Sequence, residues 1–173
     1  MLYTGNNDVQ AVTNDGNSNL QPDWVWLKNR DDARWHRLLD SSRGTAKNLH
    51  SNEDDAEGTE TSLTAFNSDG FTLAADGSSD GWNENGDAHV AWQWKANGGN
   101  TTAGGGDDTI AVSTHQANTT AGFSIVTYTG EQANKTVGGF TSLMSVFVNF
   151  VTALIYMIIA LSMAWQFGLM VII

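Results

Sequence analysis

Short runs in which apolar and polar residues alternate, each closed by glycine, asparagine or aspartate, fill the chain from Trp24 to Thr129. A period of two puts successive side chains on opposite faces of a strand, so each run predicts a strand with one buried face. The runs are WVWLK (Trp24–Lys28), RWHRLLDS (Arg34–Ser41), SLTAFNS (Ser62–Ser68) and FTLAA (Phe71–Ala75), then AHVAWQWKA (Ala88–Ala96), TIAVSTH (Thr109–His115) and GFSIVTYT (Gly122–Thr129). Asp69-Gly70 is a strong hairpin signal, and Asn85-Gly86 and Asn97-Gly98 mark further turns. The polar stretch TAKNLHSNEDDAEGTE has room for one helical turn and nucleates no longer helix. Strands at this spacing predict an all-β chain, an antiparallel β-sandwich, over residues 1–135.

Charge and composition exclude several classes of function. The formal charge is -11, and the only basic cluster (Lys28, Arg30, Arg34, Arg37, Arg43, Lys47) is interrupted by Asp31, Asp32 and Asp40. A nucleic-acid surface needs an uninterrupted basic patch, so no nucleic-acid partner is expected. With no cysteine there is no disulfide, thiol nucleophile or thiolate zinc site. The opening MLYTGNNDVQ has neither a basic nor an apolar region of the kind a signal peptide needs.

Charge ends at Lys135. After a glycine-containing link over 136–143 comes an apolar tail, 144–173, in which Phe150 to Trp165 carries only Thr152 and Ser162 as polar residues. A bilayer core of ~30 Å needs about 20 apolar helical residues, so the tail reads as a transmembrane helix. A second reading stands beside it: a frame change near Gly138–Ser142, with out-of-frame residues beyond.

Three constellations bear on chemistry. In DGSSDGWNENGD, Asp76, Ser78, Asp80, the Trp82 carbonyl, Glu84 and Asp87 fall at the donor spacing of a calcium loop. A solvated hairpin loop is the plainer alternative. Glu53, Asp55 and Glu57 alternate like the paired carboxylates of a glycoside hydrolase, but Asp54 and Ala56 leave no apolar face to bury. No catalytic residue is therefore assigned, and the protein is expected not to be an enzyme. Trp92 and Trp94 stand in phase on one strand face, as do Trp24 and Trp26. In-phase tryptophans favour a core position; as a ligand face, the rings to stack on a sugar are Trp92, Trp94 and Trp82, with Trp82 the best exposed.

One repeat is visible. Tyr3-Thr4-Gly5 recurs as Tyr128-Thr129-Gly130, so a second repeat is expected to start within 121–135. The strand GFSIVTYT is expected to complete the sandwich that opens at Tyr3. The ordered motifs PDWVWLKNR, DSSRG, LTAFNSDGFTL, VAWQWK and GFSIVTYTG resemble the repeated concanavalin A-like (lectin or laminin-G-type) domain of bacteriophage structural and tail proteins, especially of marine phages. The resemblance covers most of Tyr3 to Gly130 and implies a jelly-roll sandwich in a virion, with a host-surface glycan or neighbouring virion subunits as partner. The alternative is a membrane-anchored surface protein.

Overall fold

The computed structural model describes residues 1–77, 81–104, 109–110, 113–137 and 150–160. The chain divides into two units, Met1–Gly139 and Phe140–Ile173.

Twelve strands form within the described part of the first unit. They are β1 (Leu2–Thr4), β2 (Gln10–Val12), β3 (Trp24–Asn29), β4 (Arg37–Asp40), β5 (Gly44–Leu49) and β6 (Gly58–Thr59), then β7 (Leu63–Phe66), β8 (Phe71–Leu73), β9 (Ala88–Trp94), β10 (Thr102–Ala103), β11 (Ser113–Asn118) and β12 (Phe123–Tyr128). All their pairings are antiparallel. The sheets run β1-β9-β3-β4-β5-β6, β2-β8-β7 and β10-β11-β12.

Alternation decides which face is buried. On β3, Val25, Leu27 and Asn29 are buried while Trp24, Trp26 and Lys28 are half-exposed. Val25, Leu27, Leu39 and Ala91 of the six-stranded sheet share one apolar cluster with Val12, Leu63, Phe71 and Leu73 of β2-β8-β7. That cluster is the core, and each aliphatic or aromatic side chain in it contributes about 1.5–3 kcal/mol through burial.

Asp69-Gly70 closes the β7–β8 hairpin as expected: Gly70 has a φ of 95°, and the Asn67 amide donates to the Gly70 carbonyl at 2.9 Å. Buried Asp23 joins the ends of β9 and β3. One carboxylate oxygen accepts from the amides of Ala96 (2.7 Å) and Gly98 (2.9 Å), the other from the Gly99 amide (2.8 Å) and the Ser41 hydroxyl (2.6 Å).

One expectation is corrected here. The polar stretch after Gly44 opens as strand β5, not as a helical turn. It pairs with β4, and its polar side chains find partners in the fold: Lys47 Nζ donates to Thr59 Oγ1 at 2.9 Å and buried Asn48 to the Glu60 carbonyl at 3.4 Å. The strand bearing Tyr128 pairs with β11, while β1 itself lies against β9.

In the second unit residues 150–160 are helical, and every one of them is exposed. Among the described residues, no helix is long and apolar enough to cross a membrane. The rest of the tail, 144–149 and 161–173, lies outside the described residues.

Candidate functional site

The β3–β9 register sets Trp24 opposite Trp94 and Trp26 opposite Trp92. Because Val25, Leu27 and Ala91 point into the core, the four indoles share the opposite, outer face of the sheet. Trp92 is 44% exposed and Trp94 40%, so the expectation that these rings fill the core is corrected. Strand parity is the reason: the inward positions of β9 go to His89, Ala91 and Gln93.

Contacts along the face hold the rings at defined angles. Trp26 and Trp92 meet with centroids 5.2 Å apart at 52°, and Phe123 stacks on Trp94 at 6.2 Å. The Trp26 indole N–H donates to His36 Nδ1 at 3.1 Å. Burial lowers the His36 pKa, and the Lys28 charge lowers it further, so the ring is neutral at pH 7 and keeps Nδ1 as an acceptor.

The loop bearing the calcium-like spacing is spent on the fold. Trp82 is not the exposed ring expected of it: it is 5% exposed and belongs to the core cluster. Its indole N–H donates to the Ala74 carbonyl at 3.3 Å, and its own carbonyl accepts from the Tyr3 hydroxyl at 2.7 Å. Asp76 is buried, with Oδ2 accepting from the amides of Gly81 (3.0 Å) and Asn83 (3.1 Å). Ser78 and Asp80 lie outside the described residues.

Glu84 and Asp87 do come together, with Asp32 rather than Asp76 as third carboxylate, and their oxygens lie within 4.8 Å of one another. Arg34 sits among them, 2.9 Å from Glu84 and 3.4 Å from Asp32. The Glu84 hydrogen bonds raise the Arg34 pKa. The guanidinium thus supplies the positive charge that a cation would bring. Asp87 Oδ2 also accepts from Asn29 at 2.7 Å.

Tyr3 fills a socket at the end of the same sheet. Its ring stacks on His89 at 4.9 Å and meets Phe71 edge-on at 6.3 Å. Burial pushes its phenol pKa far up, and the Asp76 carboxylate adds to the shift. Gly5 follows in a tight place, where a Cβ would stand 2.1 Å from the Glu84 carbonyl oxygen.

Beside Met1 a cavity of about 370 Å³ runs along β9, lined among others by Ala91, Trp92, Gln93, Asn14 and Leu20. The Asn14 and Gln93 amides bond each other reciprocally at 2.7 and 3.3 Å. Glu53 and Asp55 are exposed on a loop; Glu57 pairs with Arg43 at 3.0 Å and Lys47 at 3.4 Å.

A family profile for DUF7483, a domain of unknown function, matches residues 1–163. The chain belongs to the DUF7483 family. The match takes in the strands and the helical residues 150–160. No curated protein and no solved structure matches the chain. In this DUF7483 chain the sequence reading missed His36, Asn14 and Gln93. The signal for Gln93 was its place between Trp92 and Trp94, a polar residue at the parity opposite to theirs; nothing local marked His36 or Asn14.

Proposed function

We propose that this protein is a non-enzymatic display and adhesion module of a bacteriophage virion, built as a concanavalin A-like β-sandwich whose tryptophan face binds a host-surface glycan. The single observation that carries the binding reading is the exposure of Trp92 and Trp94 on an ordered outer sheet face. An indole presents a flat apolar surface to the C–H face of a sugar, with Trp26 tilted against Trp92 and Phe123 stacked on one face of Trp94. The two sheets that share one core support the sandwich, and the ordered motifs from PDWVWLKNR to GFSIVTYTG support the virion setting. A hydrolase would need two carboxylates facing each other across a bound sugar, whereas Glu53 and Asp55 lie exposed on a loop.

A glycan array followed by titration calorimetry tests the reading. Trp92→Ala and Trp94→Ala each weaken binding about tenfold, the worth of one ring contact of ~1–1.5 kcal/mol. An array with no hit, or affinity unchanged by both substitutions, overturns it.

A second reading, a membrane-anchored surface protein, rests on residues 150–160, which are apolar apart from Thr152 and exposed all round. A helix apolar on every side is stable only in an apolar surrounding. Carbonate extraction of membranes from expressing cells decides: a chain released into the supernatant sinks this reading.

A further inference from the structure

The segment Tyr128-Thr129-Gly130 repeats Tyr3-Thr4-Gly5, yet the two copies meet very different surroundings. Tyr3 is locked between His89, Phe71 and the Trp82 carbonyl. Tyr128 is 60% exposed. Glycine is obligatory at Gly5, where a Cβ would strike the Glu84 carbonyl, whereas a Cβ on Gly130 would meet nothing within 4 Å. The second copy therefore carries two residues suited to a socket that it does not occupy.

We propose that β12 of one copy adds to the edge of β9 in a second copy, with Tyr128 taking the socket that Tyr3 fills within a single chain. The known register supports this. In β1, Leu2 faces Val90 and Tyr3 faces His89, and Met1 exchanges two 2.9 Å hydrogen bonds with Ala91. Past Ala91 the same edge of β9 continues to Trp94, with Trp92 and Gln93 lining the cavity.

Placing Tyr128 opposite His89 sets Val126 opposite Ala91, Ser124 opposite Gln93 and Phe123 opposite Trp94. Parity then points Tyr128 and Val126 into the core and Ser124 toward the Gln93 amide. Phe123 falls beside Trp94, a ring pair these side chains already form within one chain. The acceptor's own β1, with Tyr3, leaves this edge to admit the incoming strand, which then covers all of β9 where β1 covers only its first half.

The donor gives up no strand pairing; what it exchanges is the Phe123–Trp94 stack within its own chain for the same stack on the acceptor. β12 ends the sheet β10-β11-β12, so one of its edges is bonded to β11 and, among the described residues, no strand pairs with the other. Ile125 is buried in its own unit, and the opposite face of β12 presents Tyr128. Main-chain hydrogen bonds supply the affinity of such strand addition, and the side-chain pockets supply its specificity. The donor strand and the acceptor edge are different surfaces, so the contact is head-to-tail and builds rings or open chains of copies. The match ends at Gly130, since Glu131 and Gln132 stand where Asn6 and Asn7 do.

The test is sedimentation velocity of the full chain over a wide concentration range, with Tyr128→Ser and Gly130→Val beside it. Gly130→Val leaves the donor untouched, because its side chain enters open space there, and clashes only in the Gly5 position of the acceptor. The expected result is concentration-dependent oligomers, weakened about tenfold or more by each substitution. A synthetic peptide spanning Gly122–Gly130 binds the full chain, and its Gly130→Val version does not. The inference is overturned if the chain is monomeric and the peptide does not bind. It is equally overturned if association persists unchanged in both variants, which would assign it to the apolar helical residues 150–160.

Discussion

Asp23→Ala removes a carboxylate that is fully buried and holds four donors at 2.6–2.9 Å. Three of those donors are main-chain amides of the turn after β9, so the carboxylate fixes that turn to the start of β3. The Ala96 amide is buried, and leaving it without an acceptor costs about 2 kcal/mol. The Gly98 and Gly99 amides are partly buried and rehydrate in part, costing about 1 kcal/mol each. The expected loss is thus about 4 kcal/mol, a large share of the 5–15 kcal/mol typical of a domain. Asp23→Asn keeps one oxygen acceptor but turns an NH₂ group toward amides that also donate, and loses roughly half as much. Urea unfolding followed by far-UV circular dichroism reads both. A loss below about 1 kcal/mol for Asp23→Ala, or a larger loss for Asp23→Asn, refutes the assignment of the carboxylate as the acceptor that organises this turn.

Asp76→Ala costs about 2–3 kcal/mol with or without calcium, since the bonds lost are to the Gly81 and Asn83 amides. Melting in EDTA and in calcium checks it, and a cost confined to the calcium buffer would make Asp76 a ligand instead. His36 carries a lowered pKa, so the fold disfavours its protonation. Its contribution is complete above the unfolded value of about 6.5 and is lost as pH falls from there through the lowered folded value. Melting from pH 7 to pH 5 shows this slope, and His36→Gln flattens it; equal slopes in both proteins refute it.

What the sequence made legible were the strands whose own side chains pay attention to both faces. Trp24–Asn29 and Ala88–Trp94 alternate cleanly and form β3 and β9 close to the expected bounds. Strands β5 and β6 carry polar residues and exist because β4 offers β5 a bonded edge and β5 in turn offers one to β6, a fact no local pattern encodes. Alternation also told that Trp92 and Trp94 share a face, but not which face is buried. That was settled by Val25, Leu27 and Leu39, which pack against Phe71 and Leu73 of another sheet. The acidic loop misled because spacing alone does not distinguish carboxylates that bind a cation from those bonded to amides and to Arg34.

The order of the large sheet has a consequence for synthesis. β9 lies between β1 and β3, yet it is the last of that sheet's strands to be made. At ~5–20 residues per second, the ribosome needs roughly 3–13 s to go from Asn29 to Trp94. Until then β3 waits with one side unpaired and its tryptophans uncovered. The nascent chain therefore passes through a sticky interval in which chaperone capture or a wrong neighbour competes with its own central strand. Slower translation between these two strands lowers the yield of folded protein.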